Sequence, residues 1–422
     1  MRPTWWGRPR HDRGRALTGS RLVTLFLCWI GARAVLHNGW WLVVSLYMVL
    51  DAGLSPAQLL AIAAAQGVAS MIFELPAGVV ADTVSRKRAI VVAHALMGTA
   101  MITTGLFPDF IPLMLSQMLW GISWTFSSGA DVAWITDELD QPTKIHLVLT
   151  RQARWQLIGA AVGIIVVGGL ASVAGRQIAI VMAGAAMLVL GAFVAATFPE
   201  RNFAPVRTRR WQASMAVARR GVGLAVRDRT ILVLVVVTVL VNGAADSFGR
   251  IYPVQLADLG FPSGSSGTAW FTTLGIGGLL TGALSLYAVE RRIHSEHGAR
   301  GAMVLACSAG VFSLGLLGLA PNLSLAVAAV LAASGIAMPL VRTVTTIWVN
   351  RRTSSDVRAT VHSFLAQAEY VGEIICASIL AAVSGPTGAS GAITLAAGLF
   401  AVSVAVIVGR RPRRKGAPRR HC

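Results

Sequence analysis

Eight charged residues lie inside long apolar stretches of the sequence. An ionised group in apolar surroundings is costly unless it is paired, so each of these residues is a candidate for a functional role. The chemistry open to carboxyl and guanidinium groups in such places is ion pairing and the uptake and release of protons. The eight residues are Arg33, Glu74, Asp131, Asp246, Arg250, Arg342, Glu369 and Glu373.

Six of these charges are placed so that they can pair. At a rise of ~1.5 Å per residue, the members of two pairs lie at matching depths of roughly 11–14 Å along their stretches. A third pair is spaced four residues apart, on one face of a single helix. Such pairs are more often structural than functional, and both interpretations stay open. The expected pairs are Arg33 with Glu74, Arg342 with Glu369, and Asp246 with Arg250.

Glu373 differs because it lies ~20 Å along its stretch, near the midpoint, with no base expected at its own depth. Glu369 precedes it by one helical turn. A carboxyl group that is held away from water beside a second carboxyl can bind and release a proton near neutral pH. The alternative is a permanently protonated Glu373 that is hydrogen-bonded to a neighbouring helix. Glu74 is the second candidate for proton exchange.

Uncharged polar and aromatic residues in the same stretches could line a central cavity. They would supply hydrogen bonds and a ring on which a ligand could stack, although a single His or Trp in a helix more often packs than binds. These residues are His37, Asn38, Trp41, Gln66, Asn242 and Gln367.

The composition shows what kind of protein holds these residues. Of the 422 residues, 55% are hydrophobic and 13% are charged, whereas soluble domains carry about a quarter charged residues. The mean hydropathy is +0.65, and the apolar character covers almost the whole length. The chain is therefore expected to be an all-α, polytopic membrane protein rather than a soluble enzyme. The net charge of +19 does not indicate nucleic-acid binding, because the basic residues lie at the ends of apolar segments.

Motifs for enzymatic or cofactor chemistry are missing from the sequence. It contains no Gly-x4-Gly-Lys-Ser/Thr loop, no H-E-x-x-H and no G-x-S-x-G. Its four cysteines have neither C-x-x-C nor metal-ligand spacing. We therefore expect no enzyme activity, no cofactor and no metal site.

A window of roughly 20 apolar residues, the length that crosses a bilayer, predicts twelve spans in two groups of six. The expected organisation is a basic tail (1–23), a six-helix bundle (24–198), a basic linker (199–229), a second six-helix bundle (230–409) and a basic tail (410–422). The spans are predicted at 24–50, 57–81, 89–107, 111–136, 152–174, 177–198, 230–256, 267–289, 301–320, 323–349, 360–384 and 387–409.

Basic residues predict the orientation of these spans. Eight Lys or Arg residues lie in the central linker and seven after residue 409, whereas Arg176 is alone in the short connections on the opposite side. Because cytoplasmic loops are rich in Lys and Arg, both termini are expected to be cytoplasmic.

The connection between the second and third predicted spans reads Gly78-Val79-Val80-Ala81-Asp82-Thr83-Val84-Ser85-Arg86-Lys87-Arg88. It resembles the signature loop of the major facilitator superfamily, which has a glycine, an Asp four residues later and a basic cluster. Thr83 and Ser85 replace the basic residue and the glycine that the family usually has. With twelve spans and a basic central linker, the resemblance implies the two-bundle fold of that family.

The resemblance also implies a conformational latch in this loop. A small residue at Gly78 would let neighbouring helices approach closely, and Asp82 would lie against the positive N-terminal end of the eleventh helix. Arg86, next to Lys87, would reach an acid at the end of the fourth helix. The candidates there are Asp137 and Glu138. In the family, this latch holds the outward-open state and breaks during turnover.

Other segments resemble the drug:proton antiporter branch of the superfamily. They are Glu74-Leu75-Pro76-Ala77-Gly78, Asp131-Val132-Ala133-Trp134 with Asp137-Glu138, and Arg358-Ala359-Thr360. In the fifth span, Gly159, Gly163, Gly168 and Gly169 match the antiporter motif in part, with Ile164 in place of its proline. Close helix packing through small residues is the simpler account of these glycines.

The expected function is export of hydrophobic or cationic small molecules, such as antibiotics, by proton antiport with alternating access. The alternatives are proton-coupled uptake of a small metabolite and a transport-inactive sensor or scaffold. The expected partners are the substrate, protons and the lipid bilayer of the plasma membrane, with no nucleic acid and a monomeric state.

Overall fold

A computed structural model describes residues 19–141, 143–205, 219, 223, 229–290, 296–352 and 355–409. The two basic tails, apart from residues 19–23, and most of the basic linker lie outside this part of the chain. Within it, every regular element is a helix, and ten helices are long and apolar enough to cross a membrane. The expected all-α membrane architecture is confirmed.

Residues 19–205, called the N-half here, hold the first seven helices. Two of these helices begin with side-chain caps encoded in the sequence. Ser55 and Gln58 form a reciprocal capping box at α2, and Ser85 Oγ accepts a hydrogen bond from the Arg88 amide at α3 (2.9 Å). The helices are α1 (Gly19–Leu50), α2 (Pro56–Thr83), α3 (Arg86–Leu106), α4 (Phe110–Ser127), α5 (Ala130–Leu139), α6 (Ile145–Ala174) and α7 (Arg176–Thr197).

Residues 229–409, the C-half, hold the remaining described helices. A π-helical segment, Ala333–Ala337, joins α11 to α12 without a break. The helices are α8 (Arg229–Asp258), α9 (Gly264–Glu290), α10 (Glu296–Gly318), α11 (Leu323–Ala332), α12 (Met338–Arg352) and α13 (Ser355–Val408).

The ten candidate spans differ from the twelve predicted ones at two places. The predicted fourth span is not among the ten, and the predicted eleventh and twelfth spans are counted together as one continuous helix, α13. A glycine with positive φ lies at each place. Gly129 (φ 76°) divides the predicted fourth span into α4 and α5, which are 18 and 10 residues long. Gly388 (φ 67°, ψ −164°) interrupts α13 between the predicted eleventh and twelfth spans. The count of twelve therefore stays a prediction.

Both halves contain helix crossings in which two backbones touch through glycine, and one such crossing in each half involves its first helix. In the N-half, α1 crosses α6 so closely that a β-carbon on Gly39 would meet Gly163, and one on Gly163 would meet Val35. In the C-half, α8 crosses α13 with Gly243 against Gly372. Small residues allow such backbone approach inside a membrane. Because α1 and α8 open their halves, the two crossings occupy equivalent places in the two halves.

The halves meet mainly through α2 against α13 and through α6 against α9. On α2, Gly67 packs against Glu373 and Ile374 of α13, and on α6, Gly168 packs against Thr272 of α9. These contacts bring charged residues from both halves to a common interface.

Candidate functional site

A buried ion pair joins α1 to α5 inside the N-half. Arg33 Nη2 lies 3.0 Å from Asp131 Oδ2, and each side chain is only 10% exposed. The guanidinium also lies 4.8 Å from the ring centroid of Trp29. The expected pair of Arg33 with Glu74 is therefore wrong. Counting along the predicted spans matches Arg33 with Glu74, whereas the structure brings Asp131 of α5 against Arg33.

Glu74 instead links the two halves. The Tyr370 hydroxyl of α13 donates a hydrogen bond to Glu74 Oε2 across a distance of 3.2 Å. Both side chains are half-buried. Glu74 therefore lies at the α2–α13 contact, where movement of one half against the other would break this hydrogen bond.

Arg250 is the centre of a polar cluster between the halves. Its Nε donates to Asp246 Oδ2 (3.2 Å), which confirms the pair expected from their spacing. Its Nη2 donates to Gln66 Oε1 of α2 (2.9 Å), and its guanidinium lies 5.4 Å from the ring centroid of Trp41 on α1. One cation from the C-half thus touches two helices of the N-half.

Glu373 lies beside this cluster, one turn beyond Glu369 on α13. Its buried Oε1 has no hydrogen-bond partner among the described residues. Asp246 and Arg250 both act on it electrostatically. Counting along the spans predicts no base at the depth of Glu373, whereas across the helix packing Arg250 of α8 is close enough to act on it electrostatically.

A cavity of about 110 Å³ opens between α8, α12 and α13. Arg342 and Glu369, which were expected to lie at equal depth, both line it together with Asn242. The hydroxyl of Thr238 on the same wall is buried and has no partner among the described residues. The cavity therefore offers a base, an acid and uncharged polar groups from the C-half alone.

Aromatic rings from α1 and α4 form the opposing N-half surface. The His37 ring stacks on Trp120 and on Trp124, with centroids 5.4 Å apart in both cases. Trp120 also packs on Trp41, again at 5.4 Å. The sequence analysis missed Trp120 and Trp124, although their four-residue spacing puts them on one face of α4.

Two expected cavity residues take no part in these contacts. The Asn38 amide donates to Ala34 O of its own helix (2.8 Å). Gln367 is half-buried on α13 and does not line the cavity described above. Their proposed role in the site stays a prediction.

Acids outnumber bases near the interface of the halves. Among the described residues, the contact between the halves and the adjoining C-half cavity hold four carboxyl groups, those of Glu74, Asp246, Glu369 and Glu373, and the guanidinium groups of Arg250 and Arg342. With all six groups ionised, the region would hold two uncompensated negative charges. Because uncompensated charge at membrane depth is costly, protons or a cationic ligand would stabilise it.

The predicted latch is formed in part. Arg86 makes an ion pair with Asp137, donates to Ala133 O (2.8 Å) and lies 3.8 Å from Asp82 Oδ1. Glu138 turns away and accepts the amides of Arg201 and Asn202. Of the two expected candidates, Asp137 is therefore the acid that Arg86 contacts.

Glu200 is a latch residue that the sequence analysis missed. It accepts hydrogen bonds from Ser85 Oγ (2.5 Å) and from the Lys87 amide (2.9 Å). Its position directly after α7, facing the turn before α3, could not be read from the loop motif. The expected contact of Asp82 with the eleventh helix concerns side chains at 351–360, which lie outside the described residues, as does that of Arg358.

Gly78 does not serve close packing. A β-carbon placed there would meet no atom within 4 Å, so the expected role of this glycine is wrong in this conformation. The fifth-span glycines do pack closely, with one exception. Gly159 and Gly163 lie against α1 and Gly168 against α9, whereas Gly169 faces open space.

Comparisons with known proteins show the family to which the chain belongs. The sequence profile of the Major Facilitator Superfamily matches residues 23–295, more than half of the chain. The chain belongs to this superfamily and is a multi-pass membrane transporter rather than an enzyme. A search of curated proteins gives no match.

Several solved transporters share the fold at low sequence identity. The nucleoside transporter NupG aligns with a TM-score of 0.73 and 14% identity, covering 92% of this chain and 98% of its own. A POT family transporter in complex with a thioalcohol-conjugated peptide gives 0.69 and 12%, with 92% and 95% covered. A bacterial homolog of the human lysosomal transporter Spinster, inward-facing and unoccupied, gives 0.66 and 15%, with 94% and 96% covered.

Proposed function

We propose that this transporter exports hydrophobic or cationic small molecules of the antibiotic type in exchange for protons. The observation that carries the proposal is Glu373, a carboxyl group at the interface of the halves whose Oε1 has no hydrogen-bond partner among the described residues. A carboxyl group with one oxygen left without a hydrogen-bond partner can take either a proton or a cationic ligand there. Because the proton and the cationic ligand compete for one carboxyl group, entry of a proton is coupled to export of the ligand.

The electrostatics around Glu373 support this competition. Glu369 and Asp246 add negative charge beside it, and Arg250 is held by Asp246 and Gln66. A cation that arrives at Glu373 meets one base that is already hydrogen-bonded to other groups. When Glu373 releases its proton, the carboxylate that remains therefore favours the binding of a positive charge.

The aromatic rings of α1 and α4 support a hydrophobic or cationic substrate. His37, Trp41, Trp120 and Trp124 give a contiguous aromatic surface on the N-half. Indole faces bind both apolar groups and cations. Trp41 already carries the guanidinium of Arg250 over its ring, so a positive group fits against this surface.

Alternating access would use the contacts between the halves. The Tyr370–Glu74 hydrogen bond and the Gly67–Glu373 packing both lie where α2 meets α13. Protonation of Glu74 or Glu373 changes the groups at this contact and can bias one arrangement of the halves over the other. We further propose a monomer in the plasma membrane with both termini cytoplasmic, as the distribution of basic residues predicts.

The direct test is drug accumulation in an efflux-deficient host, measured with and without a protonophore. Expression of the protein should lower accumulation, and the protonophore should reverse the effect. The exchange Asp258→Asn, which neutralises one carboxyl at the end of α8, should behave like the unmodified protein. Unchanged accumulation over a broad panel of drugs would contradict export of this class.

Proton-coupled uptake of a small metabolite is the second candidate. The C-half cavity favours it, because Arg342, Glu369 and Asn242 suit a small polar solute better than a large apolar one. The fold similarity to a nucleoside transporter and a POT family transporter is compatible with it. Accumulation of a labelled metabolite that depends on an inward proton gradient would favour uptake over export.

A further inference from the structure

Arg176 makes a three-way contact at the face of the molecule opposite the Arg86 latch. Its Nε and Nη2 donate to the two carboxylate oxygens of Asp51, at 2.5 and 3.1 Å. Its Nη1 donates to Thr268 Oγ1 (2.9 Å) and to Gly264 O (3.2 Å). The Arg176 side chain is only 10% exposed although it lies at the first residue of α7, at the end of that helix.

These contacts cross from one half to the other. Asp51 follows α1 and Arg176 begins α7, so both belong to the N-half. Gly264 and Thr268 form the first turn of α9 in the C-half. One turn further along α9, Thr272 packs so closely on Gly168 that a β-carbon on the glycine would clash with it. The polar contact at Arg176 therefore covers a tight helix contact between the same two halves.

A small cavity lies along the part of α1 that leads to Asp51. It is lined by Trp41, Ser45, Gln117 and Arg250 among others, with a volume of about 10 Å³. Ser45 is five residues before the end of α1, and Arg250 belongs to the central cluster. The cavity therefore extends from Arg250 of the central cluster along α1, toward the end of α1 at which Arg176 holds Asp51.

We propose that Arg176 is an interdomain clasp that closes this face and must release in every transport cycle. The proposal rests on the alternating access of the proposed function. The guanidinium fork suits the task because Asp51 holds two of its nitrogens and the third reaches the partner half. When the halves separate, Arg176 keeps Asp51 and loses only the contacts to Gly264 and Thr268. Release therefore leaves no unpaired charge, and the clasp can open and close repeatedly.

The clasp also accounts for the one Arg on a face otherwise free of Lys and Arg. The short connections on this side carry acids such as Asp51, Asp109 and Asp258 but no other basic residue. The positive-inside rule disfavours a cation there on a predicted external face. The need for a side chain that donates hydrogen bonds to Asp51 and to α9 at the same time explains the presence of Arg176 there.

The test measures how fast a thiol reagent labels the variant Ser45→Cys, whose new thiol lies in the lining of the small cavity. The parent chain for this test has its four native cysteines replaced by alanine. A membrane-impermeant maleimide is added to the Arg176 face in vesicles of known orientation. Arg176→Ala should raise the labelling rate about fivefold, the upper end for the loss of a charged contact near the surface. Thr268→Val should raise it less, and Arg176→Lys should give an intermediate rate because Lys cannot hold both partners.

The matched control is Arg300→Ala. Arg300 donates to Ile407 O and Val408 O within the C-half, so its loss should leave the labelling of Ser45→Cys unchanged. A second reporter, Thr346→Cys in the C-half cavity, should become less accessible from the opposite face when Arg176 is replaced. This reciprocal change distinguishes a switch between two states from local loosening.

Two results would overturn the clasp. The first is unchanged labelling of Ser45→Cys in both Arg176→Ala and Thr268→Val, in proteins that elute like the parent chain. The second is increased labelling of Ser45→Cys with no change at Thr346→Cys. Since neither readout needs a drug or a proton gradient, a failure of the proposed export would leave these labelling results standing.

Discussion

Replacement of Asp131 by Asn should destabilise the N-half measurably. The exchange removes the negative charge 3.0 Å from Arg33, in a place where both side chains are 10% exposed. Breaking a buried ion pair by removing one partner costs about 3–5 kcal/mol. The Asn oxygen can keep one hydrogen bond, worth about 1 kcal/mol, so the expected loss is about 2–4 kcal/mol. The Arg33 Nη1 atom already lacks a partner among the described residues, so no neighbouring acceptor is ready to compensate.

Thermal unfolding of the purified protein in detergent is the assay, with tryptophan fluorescence as the readout. Asp131→Asn should lower the melting temperature clearly, whereas Arg33→Met combined with Asp131→Leu should recover most of the loss, because no buried charge then remains. Glu74→Gln is the discriminating variant, since the structure gives Glu74 a different partner, Tyr370. A loss below about 0.5 kcal/mol for Asp131→Asn, typical of surface substitutions, would refute the reasoning. So would an equal loss for Glu74→Gln.

Three further outcomes are expected. Glu373→Gln should abolish proton-coupled transport but leave expression and membrane insertion intact, because the amide keeps the shape of the side chain and cannot release a proton. Protonophore-sensitive efflux measures this loss, and full activity of the variant would contradict the coupling role. Asp82→Asn should slow turnover without removing substrate binding, because it alters the surroundings of Arg86; a rate equal to the parent protein would argue against a latch. Gly163→Leu should prevent folding, because its β-carbon would meet the Val35 backbone, whereas Gly169→Leu, which faces open space, should elute normally in gel filtration.

Local sequence rules predicted the features that depend on spacing along one chain segment. Apolar length predicted the spanning helices, and the four-residue spacing of Asp246 and Arg250 predicted their ion pair. The resemblance of the loop after α2 to the family signature implied that Arg86 reaches an acid near the end of the fourth span, and the structure selects Asp137. In each case, either helix geometry or a short loop limits the possible partners to one or two.

The tertiary structure alone decided which helices face one another. Counting residues along a helix gives the depth of a side chain but not its direction around the axis, so it matched Arg33 with Glu74 although Asp131 is the acid that contacts Arg33. The same ambiguity hid the approach of Arg250 to Glu373, the contact of Glu200 with the latch and the bridge from Arg176 to α9. Each joins segments far apart in sequence. Their meeting depends on how the helices cross, which close glycine contacts such as Gly39–Gly163 and Gly243–Gly372 set.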